Sequence, residues 1–274
     1  MTPRRQSGSG WLRRLSGAVP FRAGGFAPRL VPLAAVGTLL GLVALWQLGA
    51  SAGVIPTVFL PPPLNIVRAL GVLVSSGELW LHLGASLRRL AIGWALGTVC
   101  GVLLGFGVGL STLMRSPGLA VVSALYPIPK IALVPLFIIW FGIGEGSKVA
   151  TLALGVFFPT VLNTAAGVDG VPRNLIRMGQ AFGLSRGAIL RKVVLPGALP
   201  SILGGFRVTT GIAIILLVAA EMIGAERGIG AFVLQAGNLY DTDNLLAGIV
   251  VLSLLGLSVA WVLGRLERWL LSWR

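Results

Sequence analysis

The sequence predicts an all-α membrane protein with six transmembrane helices. Hydrophobic residues make up 55% of the 274-residue chain, charged residues make up only 11%, and the mean hydropathy is +0.92. A soluble domain has about 25% charged residues. The basic residues also lie in blocks between long apolar runs, which is the pattern of membrane topology. These observations exclude a soluble enzyme, a disordered chain, a fibrous protein and a nucleic-acid-binding domain.

Six apolar segments predict the transmembrane helices, because about 20 apolar residues cross the hydrocarbon layer. They cover residues 30–52, 87–110, 118–141, 149–168, 199–224 and 245–263. The first run ends in a small-residue stretch that resembles a signal-peptide cleavage site. It is longer than a secretory apolar region of about 7–15 residues, so we predict a retained helix. Pro127, Pro129 and Pro135 predict that the third segment is bent or divided into two pieces.

The distribution of basic residues predicts that both termini face the cytoplasm. With that orientation, sixteen of the 22 basic residues lie on or near cytoplasmic segments and five lie outside, with Lys130 unassigned. Cytoplasmic loops are enriched in Lys and Arg. We therefore predict a cytoplasmic tail over 1–29, one membrane domain over 30–268 and a cytoplasmic C-terminus over 269–274. The outer segment before the second span should contain an amphipathic helix over 64–74.

A ladder of glycines in the second span predicts close packing against another helix. Its members are spaced four residues apart and comprise Gly93, Gly97, Gly101, Gly105 and Gly109. Steps of four keep these positions on one slowly drifting stripe of a helix. Small residues let helix backbones approach closely in a membrane.

The cytoplasmic loop over 169–198 predicts two short amphipathic helices that dock on another protein. Gly183 can adopt the positive φ of the bend between them, and Ser185 can cap the second helix. Pro196 is expected to end it. A short amphipathic helix suits a groove on a partner.

The same loop resembles the permease subunits of binding-protein-dependent ABC importers. Their pattern is Glu-Ala-Ala-x3-Gly-x9-Ile-x-Leu-Pro. The chain matches it at Gly183, Leu195 and Pro196, has Val193 in place of Ile, and departs from it at Arg177 and Gly179. The resemblance implies a type I importer fold and an ATPase-coupling role for the loop. The residues assigned to coupling are Arg177, Met178, Gly179, Phe182, Gly183, Leu184, Val193, Leu195 and Pro196.

Three further stretches, over 77–83, 135–143 and 195–201, resemble the subfamily that imports nitrate, aliphatic sulfonates, taurine or bicarbonate. The resemblance implies a permease for a small anionic solute in the bacterial inner membrane. Its expected partners are a second permease copy, two cytoplasmic ATPases and an extracytoplasmic solute-binding protein. It also implies that residues 228–232 form a turn and a short re-entrant helix at the outer mouth.

The chain lacks the motifs of an enzyme. The stretch over 142–148 has the wrong spacing for a phosphate-binding loop. His82 is the only histidine and Cys100 the only cysteine. We therefore expect no metal, no catalytic residues and no cofactor in this chain, with ATP and Mg²⁺ bound by the partner ATPase.

Polar residues within the apolar segments are candidates for the translocation path, because such groups are costly at membrane depth. These candidates are Lys130, Asn163 and Glu221. For each of them a structural role remains open, including a snorkelling Lys130, an interhelical hydrogen bond of Asn163 and an ion pair of Glu221. Arg207 is expected to mark the inner end of the fifth span.

Two other functions fit the sequence less well. A stand-alone secondary transporter would usually show internal repeats with ionisable coupling sites, and no clear repeat is visible. A membrane-embedded enzyme would need clustered Asp, Glu, His or Cys, whereas the eight acidic residues are scattered.

Overall fold

The computed structural model describes residues 21–22, 25–26 and 32–272. Most of the predicted tail over 1–29 and residues 273–274 of the predicted C-terminus therefore lie outside the described residues. Within the tail, the strands β1 (Phe21–Arg22) and β2 (Gly25–Phe26) form one short antiparallel pair.

The rest of the described chain is almost entirely helical, as predicted. In chain order the helices are α1 (Pro32–Ser51), α2 (Pro63–Ser75), α3 (Glu78–Leu110), α4 (Thr112–Leu125), α5 (Val134–Phe141), α6 (Glu145–Asp169), α7 (Arg173–Ala181), α8 (Arg186–Ile189), α9 (Leu195–Gly224), α10 (Ile229–Asn238) and α11 (Thr242–Leu270). A 3₁₀ turn, Lys130–Leu133, precedes α5, and a π turn, Leu190–Val194, joins α8 to α9.

Four described helical segments are long and apolar enough to cross a membrane, namely α3, α6, the continuous α8–α9 segment and α11. Helices α4 and α5 form a pair bent by 85° that can count as a fifth span. The proline-rich third segment is therefore divided, as predicted. Helix α1 has 20 residues and occupies the position of the first predicted span. The structure confirms the all-α membrane architecture.

Two predicted boundaries were wrong. The second span begins at Glu78, nine residues before the predicted start, because Gly77 takes a positive φ of 82° there and α3 continues from it. Pro196 does not end a loop helix, since the segment Arg186–Gly224 runs through it as one helix of 39 residues. The π turn just before Pro196 alters the backbone hydrogen bonding where the proline lacks an N–H.

The five ladder glycines lie along the contact between α3 and α6. A Cβ on Gly93 would lie 2.6 Å from the Leu152 Cβ, and a Cβ on Gly105 would lie 2.5 Å from the Thr164 Cβ. Gly97, Gly101 and Gly109 are equally close to α6. The ladder therefore packs two helices of the same chain. Beside it, an apolar core joins α3, α6 and α9 through residues such as Leu90, Val156 and Leu217.

Candidate functional site

The predicted coupling loop forms a compact helical hairpin at one end of the bundle, called here the loop end. Helix α7 ends at Gly183, whose φ is +69°. The Gly183 N–H donates to the Gln180 carbonyl at 2.9 Å, and the Leu184 N–H donates to the Gly179 carbonyl at 3.0 Å. This pair of hydrogen bonds is the Schellman motif that closes helices at a glycine. The Ser185 Oγ then accepts from the Ala188 N–H at 3.3 Å and caps α8.

The hairpin leaves an apolar groove open at its surface. The groove has a volume of about 840 Å³ and lies between α7, the π turn and the ends of α6 and α9. Met178 and Phe182, which are 52% and 79% exposed, stand on its rim. Exposed apolar residues that surround a groove are typical of a protein interaction site.

Most of the coupling residues suggested by the sequence lie together in this hairpin. Met178, Gly179, Phe182, Leu184, Val193 and Pro196 line the groove. Gly179 is buried beside Ile189, and a Cβ there would lie 3.3 Å from the Ile189 Cγ1. Arg177 and Leu195 are exposed. Arg115 and Asp169 form an ion pair with a distance of 2.7 Å near the same end.

The three candidate path residues do not form one site. The Lys130 ammonium donates to the carbonyls of Leu125 and Tyr126, at 3.1 and 2.5 Å, and lies 4.9 Å from the Phe158 ring centroid. The Asn163 side chain packs against Gly205, where a Cβ would lie 2.7 Å from the Asn163 Cβ. Glu221 lies 16 residues beyond Gly205 on α9, a separation of roughly 24 Å along a helix.

Glu221 belongs instead to a buried polar cluster near the opposite end of α9, roughly 39 Å along the helix from Leu195. The Glu221 carboxylate accepts from Arg89 Nη1 at 2.7 Å, from the Ser86 Oγ at 2.8 Å and from the Gly230 N–H at 2.9 Å. Glu221 is 1% exposed and Arg89 is 3% exposed. The structure therefore shows the ion pair that the sequence left open as the alternative to a place of Glu221 in the translocation path.

The same cluster fixes the turn between α9 and α10. Arg89 Nη1 donates to the Arg227 carbonyl at 2.6 Å. The Ser86 Oγ accepts from the Ile229 N–H at 2.9 Å, and His82 Nδ1 lies 3.1 Å from the Gly228 nitrogen and 3.0 Å from the Gly228 carbonyl oxygen. We call His82, Ser86, Arg89 and Glu221 the clamp. Their sequence signal is the spacing of residues 82, 86 and 89, which places three polar side chains on one face of α3.

A second acid and a second buried cation adjoin the clamp. The Glu145 carboxylate accepts from Arg89 Nε at 2.8 Å and from Arg89 Nη2 at 2.6 Å. Lys148 is 4% exposed, and its ammonium donates to the carbonyls of Ile143 and Gly144. These groups line a cavity of about 430 Å³ together with Glu226 and Arg227. Within the described residues, no three His, Cys, Asp or Glu side chains group as a metal site requires.

Comparison with known proteins assigns the chain to a family. Residues 97–272 match the family model described as "Binding-protein-dependent transport system inner membrane component". The chain is 38% identical over 243 residues to the taurine transport system permease protein TauC of Escherichia coli K12, covering 87% of this chain and 88% of that protein. It is 38% identical over 236 residues to the putative aliphatic sulfonates transport permease protein SsuC of Bacillus subtilis 168, covering 85% and 84% of the two chains.

A solved structure supports the fold. A chain of the MetNI methionine ABC transporter in an inward-facing conformation superposes with a TM-score of 0.60 at 23% sequence identity. The match covers 70% of this chain and 97% of that chain. ABC importer permeases of this fold are multi-pass proteins that work with ATPase subunits and solute-binding proteins, and they are not enzymes. The chain therefore belongs to the family of inner-membrane components of binding-protein-dependent transport systems, and it is the transmembrane permease subunit of an ABC importer.

Proposed function

We propose that this permease forms the translocation path for a small sulfonate, with taurine and short aliphatic sulfonates as the expected solutes. The observation that carries the proposal is the 38% identity, over more than four fifths of both chains, to permeases named for these solutes. The similarity extends over nearly the whole membrane domain. Nitrate, another small anion of the subfamily that the sequence resembles, is the comparison solute.

The hairpin of α7 and α8 is the proposed contact with the ATPases. Its groove and the exposed rim residues Met178 and Phe182 offer an apolar surface to a partner. Five basic residues, Arg173, Arg177, Arg186, Arg191 and Lys192, keep this end of the chain cationic. That charge favours a cytoplasmic location for the hairpin. ATP and Mg²⁺ are bound in the partner ATPases, and this chain contributes the path and the coupling surface.

The proposed assembly contains two copies of this chain, two ATPases and one solute-binding protein. The described chain presents one coupling hairpin, so two ATPases require two permeases. In the proposed topology both termini lie in the cytoplasm, because this orientation puts sixteen basic residues on the cytoplasmic side. Access to the path between the two copies alternates when ATP binding closes the ATPase dimer.

Reconstitution tests this function directly. The permease is co-purified with a candidate ABC ATPase and placed in proteoliposomes with a candidate sulfonate-binding protein. We expect ATP-dependent uptake of labelled taurine or an alkanesulfonate, which requires all three components. Uptake by the permease alone would indicate a secondary transporter. Uptake of nitrate without sulfonates would overturn the proposed solute class.

A further inference from the structure

The clamp joins α3, α9 and the first turn of α10, where the Ile229 side chain also packs in an apolar cluster with Leu79 and Val251. Residues of α3, α9 and the start of α10 meet within one network of hydrogen bonds, whose lengths run from 2.6 to 3.1 Å. Two successive backbone N–H groups, those of Ile229 and Gly230, donate to Ser86 and Glu221, and His82 Nδ1 contacts the Gly228 backbone. The first turn of α10 is therefore held to α3 and α9 by polar contacts.

The backbone of this turn is shaped to fit the clamp. Gly228 has a φ of +143°, and a Cβ there would overlap the Glu221 carboxylate. A Cβ on Gly230 would lie 2.7 Å from the Val218 carbonyl oxygen. Both glycines let the chain pass directly over the carboxylate. The contact is thus specific to this position of α10.

A buried ion pair stabilises a static contact poorly, because desolvation of the two charges costs free energy. Removing two charges from water costs several kcal/mol, and well-packed apolar residues often do as well or better. Glu221 and Arg89 are nevertheless almost fully buried. A buried pair of this kind is best attested where it selects between arrangements.

Other charged groups lie close enough to the clamp to pair with Arg89 and Glu221 if these two residues separate. Arg89 already contacts two carboxylates, and one of them, Glu145, has a side chain that is 47% exposed. Lys148, a second buried cation, is held by backbone carbonyls and lines the same polar cavity. The cavity gives water access to Arg89, Glu145 and Lys148, whereas Glu221 does not line it. If the pair separates, Arg89 keeps its contact with Glu145, and Lys148 is close enough to Glu221 for their charges to interact.

We infer that the clamp is a releasable latch that positions α10: the Arg89–Glu221 pair holds α10 against α3 in this conformation and separates when the path opens at this end. The inference rests on the proposed alternation of access. His82, Ser86, Arg89 and Glu221 are positioning residues, and they bind no solute in this scheme. Their effect is on the balance between two conformations.

The first test removes the charge of the latch and measures coupling. In proteoliposomes with ATPase, Glu221→Gln should raise the ATPase rate measured without solute-binding protein by about fivefold or more, the lower range of ordinary allosteric coupling. The matched control is Glu226→Gln, which removes an exposed acid from the same turn and should leave that rate unchanged. An unchanged rate in a folded Glu221→Gln variant would overturn the latch.

The second test locks the contact without altering Glu221. His82 and Phe232 lie with ring centroids 5.4 Å apart, so His82→Cys and Phe232→Cys, in a Cys100→Ala background, can be joined by a short thiol crosslinker that reductant cleaves. We expect the crosslinked protein to lose uptake and the reduced protein to regain it. Uptake that persists with α10 locked overturns the latch alone. A parent complex without ATP-dependent uptake overturns the proposed function and the latch with it.

Discussion

At the residue scale, the ladder glycines set how closely α3 approaches α6. Gly101 is the clearest case, because a Cβ there would lie 2.7 Å from the Thr160 Cβ and 2.9 Å from the Phe157 carbonyl oxygen. We expect Gly101→Ala to destabilise the protein by about 1–3 kcal/mol, the usual cost of overpacking. The measurement is the apparent Tm of the purified permease in detergent.

The matched control is Gly84→Ala in the same helix. A Cβ at Gly84 meets nothing within 4 Å, and alanine is the better helix former by about 1 kcal/mol. Its apparent Tm should equal or exceed that of the parent. If both variants melt like the parent, the ladder does not limit the helix contact.

The ladder glycines and the clamp show how much of the structure can be predicted from the sequence. The ladder was recognisable because spacing by four depends only on local helix geometry, although its partner, α6, was not. The clamp was recognised only at Glu221, which stood out as a charge in an apolar segment. Ser86 and Glu221 are 135 residues apart, and no local period predicts which distant helices will meet.

At the scale of elements, the hairpin that leads into α9 illustrates the same limit. The bend at Gly183 and the cap at Ser185 followed from local chemistry, and the structure has both. The predicted end at Pro196 was wrong, because proline is tolerated in the first turn of a helix and a π turn precedes it. Whether a proline ends a helix or is accommodated depends on hydrogen bonds that residue type alone does not specify.

The hairpin gives a prediction about coupling. Gly183 has a φ of +69°, and a Cβ there would meet nothing within 4 Å. Gly183→Val should therefore distort the Schellman bend, at about 1–2 kcal/mol, while the spans still insert. We expect uptake and solute-stimulated ATP hydrolysis to become uncoupled in proteoliposomes that contain ATPase and binding protein.

Two control variants test whether the bend itself is responsible, one at Gly183 and one far from the hairpin in sequence. Asn tolerates a positive φ, so Gly183→Asn should couple better than Gly183→Val. Ser76→Val lies in an exposed position after α2, far from the hairpin in sequence, and should couple like the parent. Normal coupling by Gly183→Val would show that the hairpin does not transmit the movement.

At the scale of the whole molecule, the charge distribution predicts its orientation in the membrane. The hairpin is rich in basic residues, whereas Ser76 lies on the predicted outer side. In a Cys100→Ala background, Asn174→Cys and Ser7→Cys should resist an impermeant thiol reagent in intact cells, and Ser76→Cys should react readily. The positive-inside rule is the physical reason. Labelling of residue 174 in intact cells would reverse the assigned topology.

The last prediction concerns the number of permease copies. The ladder glycines are occupied by contacts with α6 of the same chain, so they lend no support to a dimer interface. The argument for two copies is instead that the described part of the chain offers one coupling hairpin with one groove, while an ATPase dimer has two surfaces to engage. We expect tagged permease to co-purify with an untagged copy when both are expressed with the ATPase, and native mass spectrometry of the complex to show two permeases and two ATPases. A tagged chain that recovers a different permease, or a single permease bound to both ATPases, would contradict the homodimer. In the second case a further segment would have to contact the second ATPase, since α7 and α8 form only one hairpin.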